Sequence, residues 1–292
     1  MKTKQERIAE MAGKTGIFQI FAIDHRDVFV RDLEEKLGRA LSKEEIRKEK
    51  QRLMKVVEKE TNGYLIDPVY FVKEDHLHAE LYGHPYMMGV ENNNYDVNAI
   101  DDHYLYPGIT VKKIREMGGS MIKLFVYYHP EKEFRHKVMQ VIRKVEKECA
   151  ENDMPFLLEP ILYTEKPVEP ECRFALMKKM LEQMKDIKVD LYKLEFPGEV
   201  KKYTEEKNIA LCKEIGKMIH KPWIILSAGI DRETFLKQIR MSGQGGACGY
   251  AVGRSVWGKY PGEEIAGLEG MKETLRAFSV CAEQYCHSWQ EI

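Results

Sequence analysis

The 292-residue chain has little of what would mark it for a specialised setting. It has no excess of charge of either sign. Its 46 Lys and Arg stand against 47 Asp and Glu, a formal net charge of −1, so no overall basic balance points to nucleic acid or an anionic membrane. Any anion must be held by a local site. No apolar run approaches the roughly 18 residues of a membrane span, and the opening MKTKQERIAEMAGKTG is charged where a signal peptide needs an apolar core. The six cysteines (Cys149, Cys172, Cys212, Cys248, Cys281, Cys286) fall in no CxxC or other metal spacing, which reads as free thiols in a reducing compartment. There is no internal repeat, no low-complexity linker and no compositional shift that would justify a domain boundary. The expectation is a cytoplasmic protein with one domain over residues 1–292, without nucleic-acid or membrane partners.

What the chain does have is a repeated alternation. Short apolar runs occur at 17–24 (IFQIFAID), 63–67 (GYLID), 86–90 (YMMGV), 121–128 (MIKLFVYY), 155–160 (PFLLEP), 189–196 (VDLYKLEF), 223–229 (WIILSAG) and 247–253 (ACGYAVG). Continuous runs of this length suit strands buried on both faces of a parallel sheet. Between them lie stretches with helical periodicity, such as EFRHKVMQVIRKVEKECAEN, where Val138, Ile142 and Val145 define one apolar stripe. Eight strands alternating with helices predict an α/β fold, a (β/α)₈ TIM barrel. A doubly wound open sheet is the alternative, but it ordinarily has fewer strands and a glycine-rich first turn that is missing here. The charged stretch 31–60 contains SKEE at 42–45, a capping box that starts a helix on the barrel exterior, and its charges read as a solvated face. Proline-bearing loops follow the fifth run and, at 258–267 (GKYPGEEIAG), the eighth.

In such a barrel the active site lies at the carboxyl ends of the strands. Polar residues collect there. Asp24 ends the first run, Lys123 lies in the fourth, Glu159 near the end of the fifth, Lys193 and Glu195 in the sixth, Ser227 in the seventh, and Arg254 follows the eighth. Each has an ordinary structural explanation. A strand-end carboxylate caps a helix or pairs with a cation, Lys123 could snorkel to solvent, and the alternation in LYKLEF places Lys193 on the face of Glu195, as a salt bridge requires. The joint pattern of two lysines and several carboxylates in one confined mouth has a chemical use. A lysine amine is a nucleophile only when neutral, and burial with a second nearby cation brings its pKa down from about 10.4. Carboxylates can then shuttle protons as the amine adds to a carbonyl. The glycine turns SAGID and AVGRSVWG, with Gly229, Gly253, Ser227 and Arg254, suit a phosphate in the position such barrels favour. Schiff-base chemistry on a phosphorylated sugar follows.

The segments FAIDHRDVF, MIKLFVYY, PFLLEP, DLYKLEFP, ILSAGI and GYAVGRSVWG, in that order, resemble the class I aldolase family that contains the tagatose 1,6-bisphosphate and sulfofructose-1-phosphate aldolases. The resemblance implies a barrel that cleaves a phosphorylated ketose to dihydroxyacetone phosphate and an aldehyde, with no cofactor and no metal. It implies Lys193 as the nucleophile, Lys123 as the auxiliary cation, Glu159 as acid and base, and Asp24 on substrate hydroxyls. Ser227, Gly229, Gly253 and Arg254 match the anion loops, and Glu195 lines the same mouth. The proton of the C4 hydroxyl goes to Glu159 or Asp24. Where the family often reads Asp-Gln-Arg, this chain has Asp24-His25-Arg26, and a histidine titrating near neutrality would alter contacts to the aldehyde half. Barrels of this kind often form homo-oligomers through exposed helices, which is expected here. Two competing readings are a metal-dependent aldolase using His76, His78 and His84, and a sugar-phosphate sensor that keeps the barrel and acts through a partner.

Overall fold

All eight apolar runs form strands, and the strands close on themselves. The computed structural model describes residues 2–92, 104–260, 262 and 268–292. The barrel strands are β1 (Phe18–Ala22), β2 (Gly63–Ile66), β3 (Tyr86–Gly89), β4 (Met121–Tyr128), β5 (Phe156–Leu162), β6 (Leu191–Leu194), β7 (Trp223–Leu226) and β8 (Gly249–Val252). Every neighbouring pair is parallel, and β1 pairs with both β8 and β2, with Ile20 opposite Ala251 and Gly63. The helices are α1 (Lys4–Ala12), α2 (Asp27–Leu37), α3 (Lys43–Val56), α4 (Pro68–Phe71), α5 (Val111–Glu116), α6 (Arg135–Glu151), α7 (Pro170–Gln183), α8 (Glu205–Ile219), α9 (Arg232–Gln244), α10 (Arg254–Trp257) and α11 (Glu269–Tyr285). Part of the expected loop at 258–267, residues 261 and 263–267, lies outside the described residues. Among those described, no helix is long and apolar enough to cross a membrane.

Side chains alternate across each strand, so one parity fills the barrel and the other faces the helices. Phe18, Ile20 and Ala22 of β1 join Leu65, Met87, Met121, Leu157, Leu191, Ile224 and Ala251 in one interior cluster. Helix α1 closes its amino end with Ile8, Met11 and Ala12, and starts at a Thr3–Glu6 capping box. The opposite parity, including Tyr64, Ile122, Leu158, Tyr192 and Tyr250, packs outward against the helices, for example the Val138, Ile142 and Val145 stripe of α6. Each such side chain contributes about 1.5–3 kcal/mol on burial. The carboxyl end, where the polar residues lie, is the open end.

The charged stretch 31–60 departs from expectation. The Ser42–Glu45 capping box does begin α3. Its inner face is not solvated, however, because Ile46, Lys50, Leu53 and Met54 are all buried. Lys50 is 0% exposed. Its Nζ donates to the carbonyls of Ile23 (2.9 Å) and His25 (2.8 Å) and to Asp67 Oδ2 (2.6 Å). The rings of Phe29, Tyr70 and Phe71 surround it, Tyr70 at 4.6 Å. Burial pushes the Lys50 amine down from its ordinary value, with Asp67 opposing. This pair ties α3 to the chain that leaves β1 and β2, on the side of the open mouth. Lys50→Met strands the Asp67 charge without its partner, and a loss of about 3–5 kcal/mol is expected from urea unfolding. An unchanged midpoint would show that the pair does not hold this corner.

Candidate active site

The interior parity continues past the hydrophobic layer into a polar one. Two residues beyond Ala22, Gly89, Met121, Leu157 and Leu191 stand Asp24, Glu91, Lys123, Glu159 and Lys193. Period-two alternation therefore delivers five ionisable groups from five strands to one level of the barrel. Lys193 Nζ lies 2.8 Å from Glu159 Oε1. The other oxygen, Glu159 Oε2, lies 3.1 Å from Lys123 Nζ. Lys123 Nζ donates to Glu91 Oε1 at 2.7 Å and to Asp24 Oδ2 at 3.1 Å. Lys123, Glu159 and Lys193 are 3%, 6% and 6% exposed, so little water screens the group.

Electrostatics separates these groups. Burial alone would lower the Lys123 amine, yet Glu159, Glu91 and Asp24 together raise it well above the ordinary lysine range, so Lys123 is a fixed cation. Burial alone would raise Asp24, yet attraction to Lys123 draws its carboxyl well below the usual range. Glu159 Oε2 differs from both. It is buried and accepts no hydrogen bond, although the Lys123 charge stands beside it.

The remaining expected residues surround this cluster at different distances. His25 lies against Asp24, Nδ1 to Oδ1 3.5 Å, and its ring packs edge-on to Trp257 at 5.1 Å. Burial is the main cause that pushes the His25 imidazole down to about 4, with Lys193 and Arg254 adding to it, so His25 is neutral near pH 7 rather than titrating there. Gly253 fits because a Cβ there would come 2.7 Å from His25 Cε1 and 2.9 Å from the Ala22 carbonyl. Gly229 has φ +78° beside Ala228 at +51°, a turn that favours glycine. Arg254 crosses that turn, since a Cβ on Gly229 would lie 3.5 Å from its Cζ, so the loops after β7 and β8 meet. Ser227 is buried at the start of the turn, and its carbonyl accepts from Ile230 N at 3.1 Å. Arg26 is buried, donates to the Glu91 carbonyl at 2.8 Å and stacks on Tyr106.

Glu195 is not brought into the lysine cluster. Strand β6 stops at Leu194, so parity no longer aims Glu195 inward. Its carboxylate takes Arg173 of α7 at 3.0 Å and the Leu162 amide at 3.1 Å, and Lys193 pairs with Glu159 instead. Sequence reasoning missed Glu91 because the third run was ended at Val90, one residue short of a strand-end carboxylate. It also missed Lys50. His76 falls in a two-stranded ribbon (Val72–Lys73 with His76–Leu77), and the His84 ring packs on Tyr64 at 5.6 Å. Among the described residues, no three His, Cys, Asp or Glu side chains group in a way that could hold a metal ion.

A family model described as DeoC/LacD family aldolase matches residues 18–259. Among curated relatives, a tagatose 1,6-diphosphate aldolase of Listeria monocytogenes is 26% identical over 304 residues, covering 94% of this chain and 88% of its own. One from Staphylococcus epidermidis is 26% identical over 280 residues, covering 87% and 85%. Among solved structures, an archaeal fructose 1,6-bisphosphate aldolase superposes with a TM-score of 0.67 at 17% identity, covering 96% of this chain and 99% of that one. A fructose-bisphosphate aldolase from Plasmodium falciparum gives 0.69 at 12% identity, covering 98% of each. The structural likenesses bear on the barrel fold.

The lowered His25 value makes a stability prediction. A histidine buried neutral binds fewer protons folded than unfolded between about 4 and the ordinary 6.5. Its contribution is complete above 6.5 and is lost as pH falls toward 4, on the order of 2 kcal/mol for this partly exposed ring. His25→Gln should flatten that part of the acid slope in denaturant melts taken between pH 4 and 7. An unchanged slope would mean that His25 titrates normally.

Proposed function

The chain belongs to the DeoC/LacD aldolase family, and from that premise we propose that it is a class I aldolase acting through a Schiff base on Lys193. The substrate is a ketose phosphate of the tagatose 1,6-bisphosphate or sulfofructose-1-phosphate type, cleaved to dihydroxyacetone phosphate and an aldehyde. The observation that carries this reading is one buried carboxylate, that of Glu159, shared between Lys193 at 2.8 Å and Lys123 at 3.1 Å. A structural ion pair needs only one lysine. The relatives named for tagatose 1,6-diphosphate support the substrate class.

The geometry suits the following sequence. A proton moves from the Lys193 ammonium to Glu159 Oε1, 2.8 Å away, which frees the amine lone pair to add to the C2 ketone. The proton on the new ammonium passes to the C2 oxygen, giving a neutral carbinolamine. Glu159 then gives its proton to that hydroxyl, which leaves as water as the nitrogen lone pair closes the iminium. As a carboxylate again, Glu159 takes the C4 hydroxyl proton. The C4 oxygen becomes the aldehyde carbonyl while the C3–C4 electron pair moves into the iminium, leaving an enamine. Protonation at C3 and hydrolysis release dihydroxyacetone phosphate and the Lys193 amine. Between the two carboxylates, Glu159 fits the base better, because Lys123 holds Asp24 firmly ionised while Glu159 Oε2 accepts no hydrogen bond. Lys123 steadies negative charge on the C2 oxygen as it develops. The Gly229 turn under Arg254 suits the phosphate, and Asp24, His25 and Arg26 suit the hydroxyl-bearing aldehyde half.

Borohydride added with dihydroxyacetone phosphate should inactivate the protein and leave a reduced adduct on Lys193, found by peptide mass mapping. Lys193→Ala should lower retro-aldol turnover by more than about a thousandfold and abolish the adduct. Inactivation by borohydride that persists in Lys193→Ala would remove the assignment, and binding of ketose phosphates with no release of triose phosphate would favour a sensor.

A further inference from the structure

The residue that sequence reasoning passed over makes more contacts in the polar layer than its position just beyond a strand end requires. Glu91 is 4% exposed. One carboxylate oxygen accepts from Lys123 Nζ at 2.7 Å, the other from the Phe125 amide at 3.1 Å, so both oxygens are used by β4. Its carbonyl accepts from Arg26, and its backbone bridges to Leu105. The carboxylate is held by β4 and the backbone by Arg26 and Leu105.

Its effect falls on Glu159. Lys123 has three N–H donors. Glu91 and Asp24 take two of them in hydrogen-bond geometry, and Glu159 Oε2, at a comparable distance, receives none. Glu159 Oε2 is therefore held by the charge of Lys123 but by none of its N–H bonds. We infer that Glu91 is a positioning residue that clamps the Lys123 ammonium by its donors, so that no Lys123 N–H ties down Glu159 Oε2 and the carboxylate stays free to take and return, on Oε1, the proton exchanged with Lys193. Without the clamp, Lys123 is free to turn a donor onto Glu159 and hold it as a spectator carboxylate. This rests on the Schiff-base reading and adds the device that keeps Glu159 available.

Glu159 is faced by Lys193 from β6 and Lys123 from β4. Asp24 and His25 follow β1, with Arg26 on the Glu91 carbonyl, Glu91 follows β3, and Tyr127 of β4, with Glu195 beside it, and Arg254 beyond β8 are the other charged or titratable groups near this level among the described residues. Removing the Glu91 charge makes this surrounding more positive. Every proton in the cluster is then lost more easily, and both limbs of a pH–rate profile move to lower pH. A merely structural Glu91 would lower the rate and leave the limbs in place.

The probe is dihydroxyacetone phosphate in deuterium oxide, where enamine formation exchanges one C3 proton for deuterium, followed by NMR without any knowledge of the aldehyde half. The wild-type protein should exchange it. Glu91→Gln should exchange at least tenfold more slowly, with both limbs displaced about one unit toward acid, the scale of one nearby buried charge. Glu91→Asp, which keeps the charge but withdraws it, should show a smaller displacement in the same direction. Folding of each is checked by thermal melting, and if Glu91→Gln does not fold, Glu91→Asp alone decides. Limbs that stay in place in a folded variant overturn the inference while leaving the aldolase reading intact. No exchange by the wild type overturns the aldolase reading itself, and this inference with it.

Discussion

One carboxylate sharing two buried lysines is the constraint on which the rest depends. Two ammonium groups brought close together in a low-dielectric barrel repel strongly, and burial disfavours both. Glu159 makes the arrangement possible by facing Lys193 with one oxygen and Lys123 with the other. Asp24 and Glu91 then pair with Lys123, so that this cation is anchored from β1 and β3, whereas Lys193 pairs among the described residues with Glu159 alone. The asymmetry between the two lysines is thus a matter of how many carboxylates each one meets.

The barrel supplies this geometry at little extra cost. Lys123, Glu159 and Lys193 each sit two residues past an interior hydrophobic, Met121, Leu157 and Leu191, whose packing fixes the parity. A hydrophobic layer below sets the positions of a polar layer above. Lys50 and Asp67 do the corresponding work outside the barrel, holding the carbonyls of Ile23 and His25 and so the segment that presents Asp24.

Much of this was legible in the sequence, and the failures have physical reasons. The eight runs were visible because strands buried on both faces are continuously apolar, and their observed ends fall within two or three residues of the runs. Asp24, Lys123, Glu159 and Lys193 stood out as polar breaks in those runs. Glu91 followed the same rule one residue later, where the apolar run had stopped. Glu195 was placed by an alternation that ends at Leu194, and Arg173 of α7, remote in sequence, took its carboxylate. In α3 the stripe Ile46, Leu53 and Met54 includes position 50, but a lysine in a charged run reads as solvated until Asp67, Tyr70 and Phe71 from one segment and Phe29 from another are seen around it. The His25 environment is likewise tertiary, since Trp257 and Gly253 arrive from the far end of the chain.

If Lys193 works through a Schiff base, the C2 carbonyl oxygen of the substrate leaves as water. The most direct measurement is the exchange of that oxygen during turnover in ¹⁸O-labelled water, with dihydroxyacetone phosphate followed by mass spectrometry. ¹⁸O should enter C2 at least as fast as retro-aldol turnover, falling in Lys193→Ala to the slow rate of uncatalysed hydration. Turnover that proceeds while the original oxygen is retained would contradict it.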